Sequence, residues 1–103
     1  MYVKEDKGNT MRACRVDRNH KEIVEALRCE GFSVESLATV GKGVPDIIVG
    51  HNSCNLLLEI KSKGGKLTPD QVTWHFKWQG QVDIVNNIEE AVNLCKKYFK
   101  KTN

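Results

Sequence analysis

The sequence predicts an α/β domain with a central sheet of about four strands flanked by helices, in the order α-β-β-β-α-β-α. Two observations support this prediction. Apolar residues recur at helical spacing near both ends of the chain, and short apolar runs bounded by turn residues lie between them. The strands and the helical stripes both need burial, so packing the helices on the sheet is the natural arrangement.

A first helix is predicted over residues 17–30, where Ile23, Val24 and Leu27 form one apolar stripe. Three strands should follow, over 32–40, in PDIIVG and in CNLLLEIK. The segment His51-Asn52-Ser53 between the last two indicates a hairpin.

The second half of the chain should add a helix, a strand and a helix. Thr68 has the form of an N-cap, with Gln71 closing a capping box, and the helix should run to about Gln79. A fourth strand is predicted over 81–85. From Asn87 the apolar residues again follow helical spacing, with acids first and lysines last, as the helix dipole favours.

A chain of 103 residues is long enough for one domain, so residues 1–103 are expected to share a single core. Residues before about Cys14 show no periodicity and are expected to be loosely ordered. No segment has the apolar length to span a bilayer, and no apolar block follows the basic N-terminus. We therefore expect a cytoplasmic protein that does not enter membranes.

The four cysteines stand singly, without the close pairs that zinc or redox motifs require, so they are expected to be free buried thiols. The net charge of +3 permits a polyanionic partner without requiring one.

Three charged residues lie at the edges of two apolar runs that are predicted to be neighbouring strands. Side chains alternate across a sheet, so Glu59 and Lys61 should project from one face. Asp46 begins the preceding strand, and the hairpin would bring it near Glu59. Two carboxylates and an ammonium would then meet at one end of the sheet.

Neighbouring carboxylates repel, and partial burial raises their pKa, so the pair costs stability unless a positive charge lies between them. Oxygen-rich sites with open positions suit Mg²⁺ or Mn²⁺. Lys61 can then orient a water or offset charge on a phosphate, which indicates metal-dependent phosphodiester hydrolysis. The plain alternative is a turn acid at Asp46 and a solvated strand face at Glu59 and Lys61.

The stretches GVPDIIVG, LLLEIKSK and LTPDQ resemble the PD-(D/E)xK nucleases, and more narrowly the small stand-alone VRR-NUC nucleases, many of them phage-encoded. The chain is similar more distantly to archaeal Holliday-junction resolvases. The resemblance covers about residues 17–92 and implies a restriction-endonuclease-like core with a mixed sheet. It implies that Asp46, Glu59 and the backbone carbonyl of Ile60 bind metal, and that Lys61 is catalytic.

The resemblance also implies a glutamate on the first helix. Glu22 is the match, although alignment with the junction resolvases places His20 there instead. Gln71 matches a glutamine that VRR-NUC proteins place close to the active site. Both residues have a capping interpretation as well, since Glu22 lies three residues after Asn19 and Gln71 three after Thr68.

Lysines and aromatic residues near the predicted site suggest contacts to nucleic acid. Lys42, Lys63 and Lys66 are predicted to contact backbone phosphates, which requires charge and reach rather than fixed geometry. The alternative is that they lie in solvated turns. The tryptophans and histidine of segment 74–78 have two interpretations, as stacking surfaces for unpaired bases or as core or dimer contacts.

We therefore expect a Mg²⁺- or Mn²⁺-dependent DNA endonuclease. So small a domain has little surface for reading base sequence, so branched DNA such as junctions or flaps is the expected substrate, and the symmetry of branched DNA suggests a homodimer. The resemblance adds a phage setting. The alternative from another class is a DNA-binding or assembly module that keeps the nuclease fold without catalytic activity.

Overall fold

The computed structural model describes residues 12–101, with side chains from 19 to 100. Its elements are α1 (Arg12–Cys29), β1 (Ser33–Ser36), β2 (Ile47–His51), β3 (Cys54–Ile60), α2 (Pro69–Lys77), β4 (Asp83–Val85) and α3 (Ile88–Lys101). The strands form one sheet in sequence order, in which β1, β2 and β3 pair antiparallel and β4 joins β3 in parallel. The predicted element order and the mixed sheet are confirmed.

The hydrophobic core joins α1 and α3 to one face of the sheet. Both predicted apolar stripes are buried, and alternate strand residues meet them because successive strand side chains point to opposite faces. Burial of this set is the main favourable term in folding. The buried apolar side chains are Ile23, Val24, Leu27, Phe32, Val34, Ile47, Val49, Leu56, Leu58, Val85, Ala91, Cys95 and Phe99.

The opposite face of the sheet is only partly covered. Ile48 and Leu57 are half-buried there, and Ile84 is 45% exposed. The helix α2 contributes no buried residues, in contrast to α1 and α3. Side chains on this second face therefore remain within reach of molecules in solution.

The helix α2 is held at its N-terminus rather than by a buried face. Thr68 is the N-cap, and its Oγ1 accepts from the N–H of Gln71 at 3.2 Å, while Oε1 of Gln71 accepts from the N–H of Thr68 at 2.9 Å. This is the predicted capping box, with Pro69 at the first position. The helix ends at Lys77, slightly before the predicted end, because Trp78 takes an extended conformation.

The loop before β2 packs against the start of α2. Gly43 has φ of 85°, and a Cβ atom at this position would overlap the backbone carbonyl of Asp70. Glycine is therefore required there for its left-handed conformation and for the close approach. Gly41 in the same loop also has positive φ, at 73°, but open space surrounds its Cβ position.

The start of α1 differs from the prediction. Residues 1–11 lie outside the described range, and the helix begins at Arg12 rather than at residue 17. Asn19 is therefore inside the helix and cannot cap it, so the interpretation of Glu22 as its capping partner is wrong. The side chain of Asn19 instead donates to the carbonyl oxygen of Asn86 at 3.3 Å.

Two strands are shorter than predicted. β1 ends at Ser36 rather than at residue 40 because the chain turns there. β4 begins at Asp83 rather than at 81 because the side chain of Gln81 takes the place of a backbone pairing. Its Oε1 accepts from the N–H of Leu57 at 2.7 Å, and its Nε2 donates to the carbonyl of Leu57 at 2.9 Å.

The cysteines only partly match the prediction. Cys29, Cys54 and Cys95 are free, as expected, but Cys95 is buried, Cys54 half-buried and Cys29 exposed at the end of α1, so burial is wrong for Cys29. The side chain of Cys14 lies outside the described residues. Within residues 12–101, no helix is both long and apolar enough to cross a bilayer.

Replacing Gly43 by alanine should destabilise the protein more than replacing Gly41. Alanine at Gly41 meets only the cost of the left-handed conformation, about 1–2 kcal/mol. At Gly43 it must also push the start of α2 away from the loop. Urea denaturation of both variants measures the difference in free energy of unfolding, and equal losses would contradict the described packing.

Candidate active site

Asp46 and Glu59 meet at one end of β2 and β3. The register pairs Ile47 with Leu58, so Asp46 lies one step further along, opposite Glu59. The Oδ2 atom of Asp46 accepts from the N–H of Ile60 at 2.7 Å, which fixes its carboxylate against the end of β3. The hairpin therefore brings the two carboxylates together, as its sequence suggests.

Glu59 is 1% exposed and is the one charged residue in the range 19–100 that is buried. Its Oε2 accepts from Nε2 of Gln71 at 3.1 Å, whereas its Oε1 has no hydrogen-bond partner. Nε2 of His75 lies 3.8 Å from Oε1 and also lacks a hydrogen-bond partner. A buried carboxylate oxygen without a hydrogen bond is costly, and positive charge beside it, from the His75 ring or from a bound cation, would offset that cost.

Burial raises the pKa of Glu59 from its usual 4.5 to about 8. The hydrogen bond and the negative charge of Asp46 act in the same direction, while the positive charge of Lys61 lowers the pKa. At neutral pH the pair therefore holds a proton that an ionised Glu59 would have to release. A cation between the carboxylates would favour that release.

Lys61 is half-buried and follows directly after β3. Its N–H donates to the carbonyl of Val85 at 3.0 Å, and its own carbonyl accepts from Nδ2 of Asn86 at 2.8 Å. These bonds fix the backbone on both sides of the residue. The positive charge of its ammonium lowers the pKa of Glu59, so it acts on this carboxyl group.

Gln71 makes both of the contacts that its sequence context allowed. Its Oε1 closes the capping box of α2, and its Nε2 donates to Glu59. The amide is thereby oriented by two partners at once. The start of α2 and the position of the Glu59 carboxylate are coupled through this one side chain.

The sequence suggested His75 as a stacking surface or a core contact but did not predict its position beside Glu59, and it gave no role to Asn86. His75 lies one turn after Gln71 on α2, so the (i, i+4) spacing was a usable signal that both side chains face Glu59. Asn86 joins the end of β3 to α1, because it donates to the carbonyl of Lys61 and accepts from Asn19. Nothing in the sequence marked Asn86 for that position.

The first helix carries the two candidates for a further site residue. Glu22 is exposed and lies one turn after Asn19, the residue that attaches α1 to Asn86. His20 is half-buried on the same helix. Both candidates thus belong to the helix that is hydrogen-bonded to Asn86, directly after β4.

The three lysines predicted to contact DNA are exposed. Lys63 and Lys66 lie between β3 and α2, where the N–H of Gly65 donates to the carbonyl of Ser62 at 2.7 Å and closes a turn. Lys42 lies in the loop that packs against the start of α2 and has φ of 56°. All three are carried by loops that flank α2.

The two tryptophans do not enter the core. Trp74 is half-buried and Trp78 is 44% exposed, and their rings stack with centroids 4.7 Å apart and planes 19° from parallel. The core interpretation of these side chains is wrong, because α2 is held by its cap and buries no apolar face.

The donor set fits a hard divalent cation. Mg²⁺ is usually bound through one or two carboxylates and keeps several waters, and Asp46 with Glu59 supplies two carboxylates. In the part of the chain that the structure describes, no group of three or more His, Cys, Asp or Glu residues could hold a metal ion. The unpaired oxygen and raised pKa of Glu59 are the features that a cation would relieve.

The mixed sheet and its flanking helices form an α/β fold of the restriction-endonuclease-like type, with Asp46 directly before β2 and Glu59 near the end of β3. A solved structure described as a VRR-NUC domain is similar to this chain, with a TM-score of 0.65 and 24% identity, over 80% of this chain and 95% of that one. The chain therefore has the VRR-NUC fold that its motifs suggested. No family model matches the sequence, and no curated protein matches it.

The metal-free protein should lose stability as pH rises from about 5 to 8. In that window an unfolded Glu59 is ionised while the folded one keeps its proton, so each pH unit costs at most about 1.4 kcal/mol. Denaturation with urea in EDTA, at several pH values, should show a decline that levels off above pH 8. Glu59→Gln should lack this contribution, and parallel curves for the two proteins would contradict the raised pKa.

Proposed function

We propose that this protein is a metal-dependent endonuclease that hydrolyses DNA phosphodiester bonds. The observation that carries the proposal is the buried Glu59 carboxyl group beside Asp46, with one oxygen that has no hydrogen bond and a pKa of about 8. Such a pair adds little to stability by itself, so it favours a functional role. The VRR-NUC fold supports the same conclusion.

Asp46, Glu59 and the backbone carbonyl of Ile60 are the proposed ligands of Mg²⁺ or Mn²⁺. When bound, the ion supplies positive charge to the scissile phosphate and acidifies water. The N–H of Ile60 orients Asp46, and Gln71 orients Glu59, so both carboxylates are positioned before substrate binds. Because Glu59 must release its proton, metal affinity should rise with pH.

Lys61 is the proposed catalytic lysine. Its ammonium can orient the attacking water, or offset the negative charge that develops as water adds to phosphorus and the ester bond breaks. Backbone hydrogen bonds on both sides hold Lys61 in place. For the further site residue that the resemblance implies on the first helix, we propose Glu22, with His20 as the other candidate. The side chain of Asn19 attaches this helix to Asn86, which contacts Lys61.

DNA is the proposed polymer, with Lys42, Lys63 and Lys66 on its backbone phosphates. The exposure of these lysines and the net charge of +3 support a polyanionic partner. Within this proposal the substrate is branched DNA, because the domain has little surface for reading base sequence. A homodimer matches the symmetry of such a branch.

A second candidate is a DNA-binding or assembly module that keeps the fold without catalysis. One observation favours it. The described residues contain two site carboxylates but no third side chain grouped with them as a metal ligand. The same lysines would then bind DNA with no chemistry following.

Cleavage assays separate the two candidates. End-labelled junction, flap, duplex and single-stranded DNA are incubated with and without Mg²⁺ or Mn²⁺. We expect metal-dependent cutting that is fastest on the branched substrates, no cutting by Asp46→Asn, and a loss of about 10²–10³-fold in Lys61→Ala. Lys97→Ala, which removes an exposed lysine on α3, is the matched control and should keep full activity.

The pattern of results decides between the proposals. Salt-sensitive binding without metal-dependent cutting would establish the binding module instead of the nuclease. Equal cutting of duplex and branched DNA would remove the substrate preference, and a strict monomer on a junction would remove the dimer. Unchanged turnover in Lys61→Ala would show that the catalytic assignment is wrong.

Metal binding can be measured apart from catalysis. Calorimetric titration of Mn²⁺ should show binding to the wild type that tightens between pH 6.5 and 8.5, because Glu59 loses its proton over that range. Asp46→Asn should bind at least about tenfold more weakly because it loses one charged ligand. Lys61→Ala should bind at least as tightly as the wild type. Equal binding by Asp46→Asn and wild type would place the metal elsewhere.

A further inference from the structure

A cleft of about 390 Å³ runs along the side of α2. Its size falls within the roughly 300–1,000 Å³ typical of small-ligand sites. Of its lining residues, only Lys42 has a part in the proposed function, whereas Gln71 and His75 of the same helix face Glu59. The cleft is lined by Lys42, Asp70, Thr73, Trp74, Lys77 and Trp78.

The two tryptophans form a fixed aromatic surface in the cleft. Their rings stack on each other, and Nε1 of Trp78 donates to the carbonyl of Gln81 at 3.0 Å, which anchors the indole. A Cβ atom on Gly80 would come within 3.0 Å of that ring, so glycine leaves room for it. An aromatic surface held in this way loses little conformational entropy when a ligand stacks on it.

The two tryptophan rings are partly exposed to solvent, so a ligand can contact them. Trp78 is 44% exposed and also lines a second cleft on the open sheet face, beside Ile48 and Leu57. Side chains that fill a core would be covered by their own chain. The aromatic surface is therefore available to a molecule from solution.

Charge indicates the class of that molecule. Lys42 and Lys77 both line the cleft, against one acid, Asp70, in the first turn of α2. Lys42 takes a left-handed conformation between two glycines that do the same, which costs free energy for a residue with a Cβ atom. The turn thus holds a lysine over the cleft at some cost, as suits recognition of an anion.

We propose that this cleft binds an unpaired nucleotide of the DNA substrate, with its base against the tryptophans and its flanking phosphates near Lys42 and Lys77. Bases inside a duplex are stacked on both faces, whereas an unpaired base can stack on an aromatic side chain. The inference rests on the proposed function in taking DNA as the ligand. It selects flaps and other branches with an unpaired strand over fully paired junctions.

Tryptophan emission tests the cleft directly. The chain has two tryptophans, and both line the cleft, so its emission reports on this region. Single-stranded oligothymidylate is titrated into the Asp46→Asn protein in EDTA, where no cleavage occurs. We expect saturable quenching, and markedly weaker quenching by a blunt duplex with the same number of phosphates.

Matched variants separate stacking from general apolar contact. Binding of a dye-labelled oligothymidylate is followed by anisotropy, and Trp78→Leu should weaken it by roughly tenfold or more, whereas Trp78→Phe keeps a ring and most of the affinity. Phe76→Leu, at an 88% exposed position of α2 outside the cleft, should bind like the parent. Phe76→Leu should keep the parental melting temperature because Phe76 is 88% exposed, whereas both Trp78 variants lose the hydrogen bond to Gln81, so Trp78→Phe is the control for that loss.

The lysine contribution has its own readout. Lys77→Ala should reduce the slope of log affinity against log salt by about 0.7, the value for one phosphate contact on a single strand. Lys97→Ala on α3 should leave the slope unchanged.

Several results would overturn the proposal. These are equal quenching by blunt duplex, unchanged binding in Trp78→Leu, or an equal loss in Phe76→Leu. Emission that shifts with protein concentration alone, with a dimer in sedimentation that Trp78→Leu dissociates, would make the cleft a contact between copies instead. Quenching without any DNA cleavage would refute the nuclease and leave this site in place, whereas cleavage without quenching would do the reverse.

Discussion

The candidate site of this domain depends on a buried carboxyl group, Glu59, held against a second one, Asp46. Removing a charge from water costs several kcal/mol, and a neighbouring like charge adds to that cost. The surrounding groups partly offset it. Gln71 donates to one oxygen of Glu59, the backbone N–H of Ile60 donates to Asp46, and the charge of Lys61 lowers the pKa of Glu59. One oxygen of Glu59 still has no hydrogen-bond partner, and this oxygen is the feature that marks the site.

The parts of this arrangement that could be predicted from sequence depend on short-range geometry. The side-chain period of a strand is two, and the turn between β2 and β3 is tight, so the register that brings Asp46 opposite Glu59 follows from counting residues. The capping box of α2 is equally local, because its partners are three residues apart. The element order and the mixed sheet belong with these, since strong periodic segments and a motif resemblance pointed to them.

The parts that could not be predicted depend on contacts between distant segments. Asn19 is a residue type that often caps a helix, but here it lies inside a longer helix and its side chain donates to the carbonyl of Asn86. Trp74 and Trp78 are large apolar residues of the kind that often fill a core. They remain at the surface, because α2 is held by its N-cap and by the close packing of Gly43. Gln81 similarly replaces strand backbone with its side chain. A local sequence pattern cannot predict such contacts, because each one depends on which distant segment lies beside the residue in the folded chain.

The one-sided core has a further consequence for how such a protein can change over generations. Nearly all buried side chains lie between the sheet and the α1–α3 layer, whereas α2, the lysine-bearing loops and the open sheet face bury little. Substitutions that retune ligand preference can therefore accumulate on one side with small effects on folding. Glu59 is the exception, because it is buried and lies on the open side of the sheet. Its backbone belongs to a strand of the core and its side chain contacts α2, so substitutions on either side of the sheet can affect it.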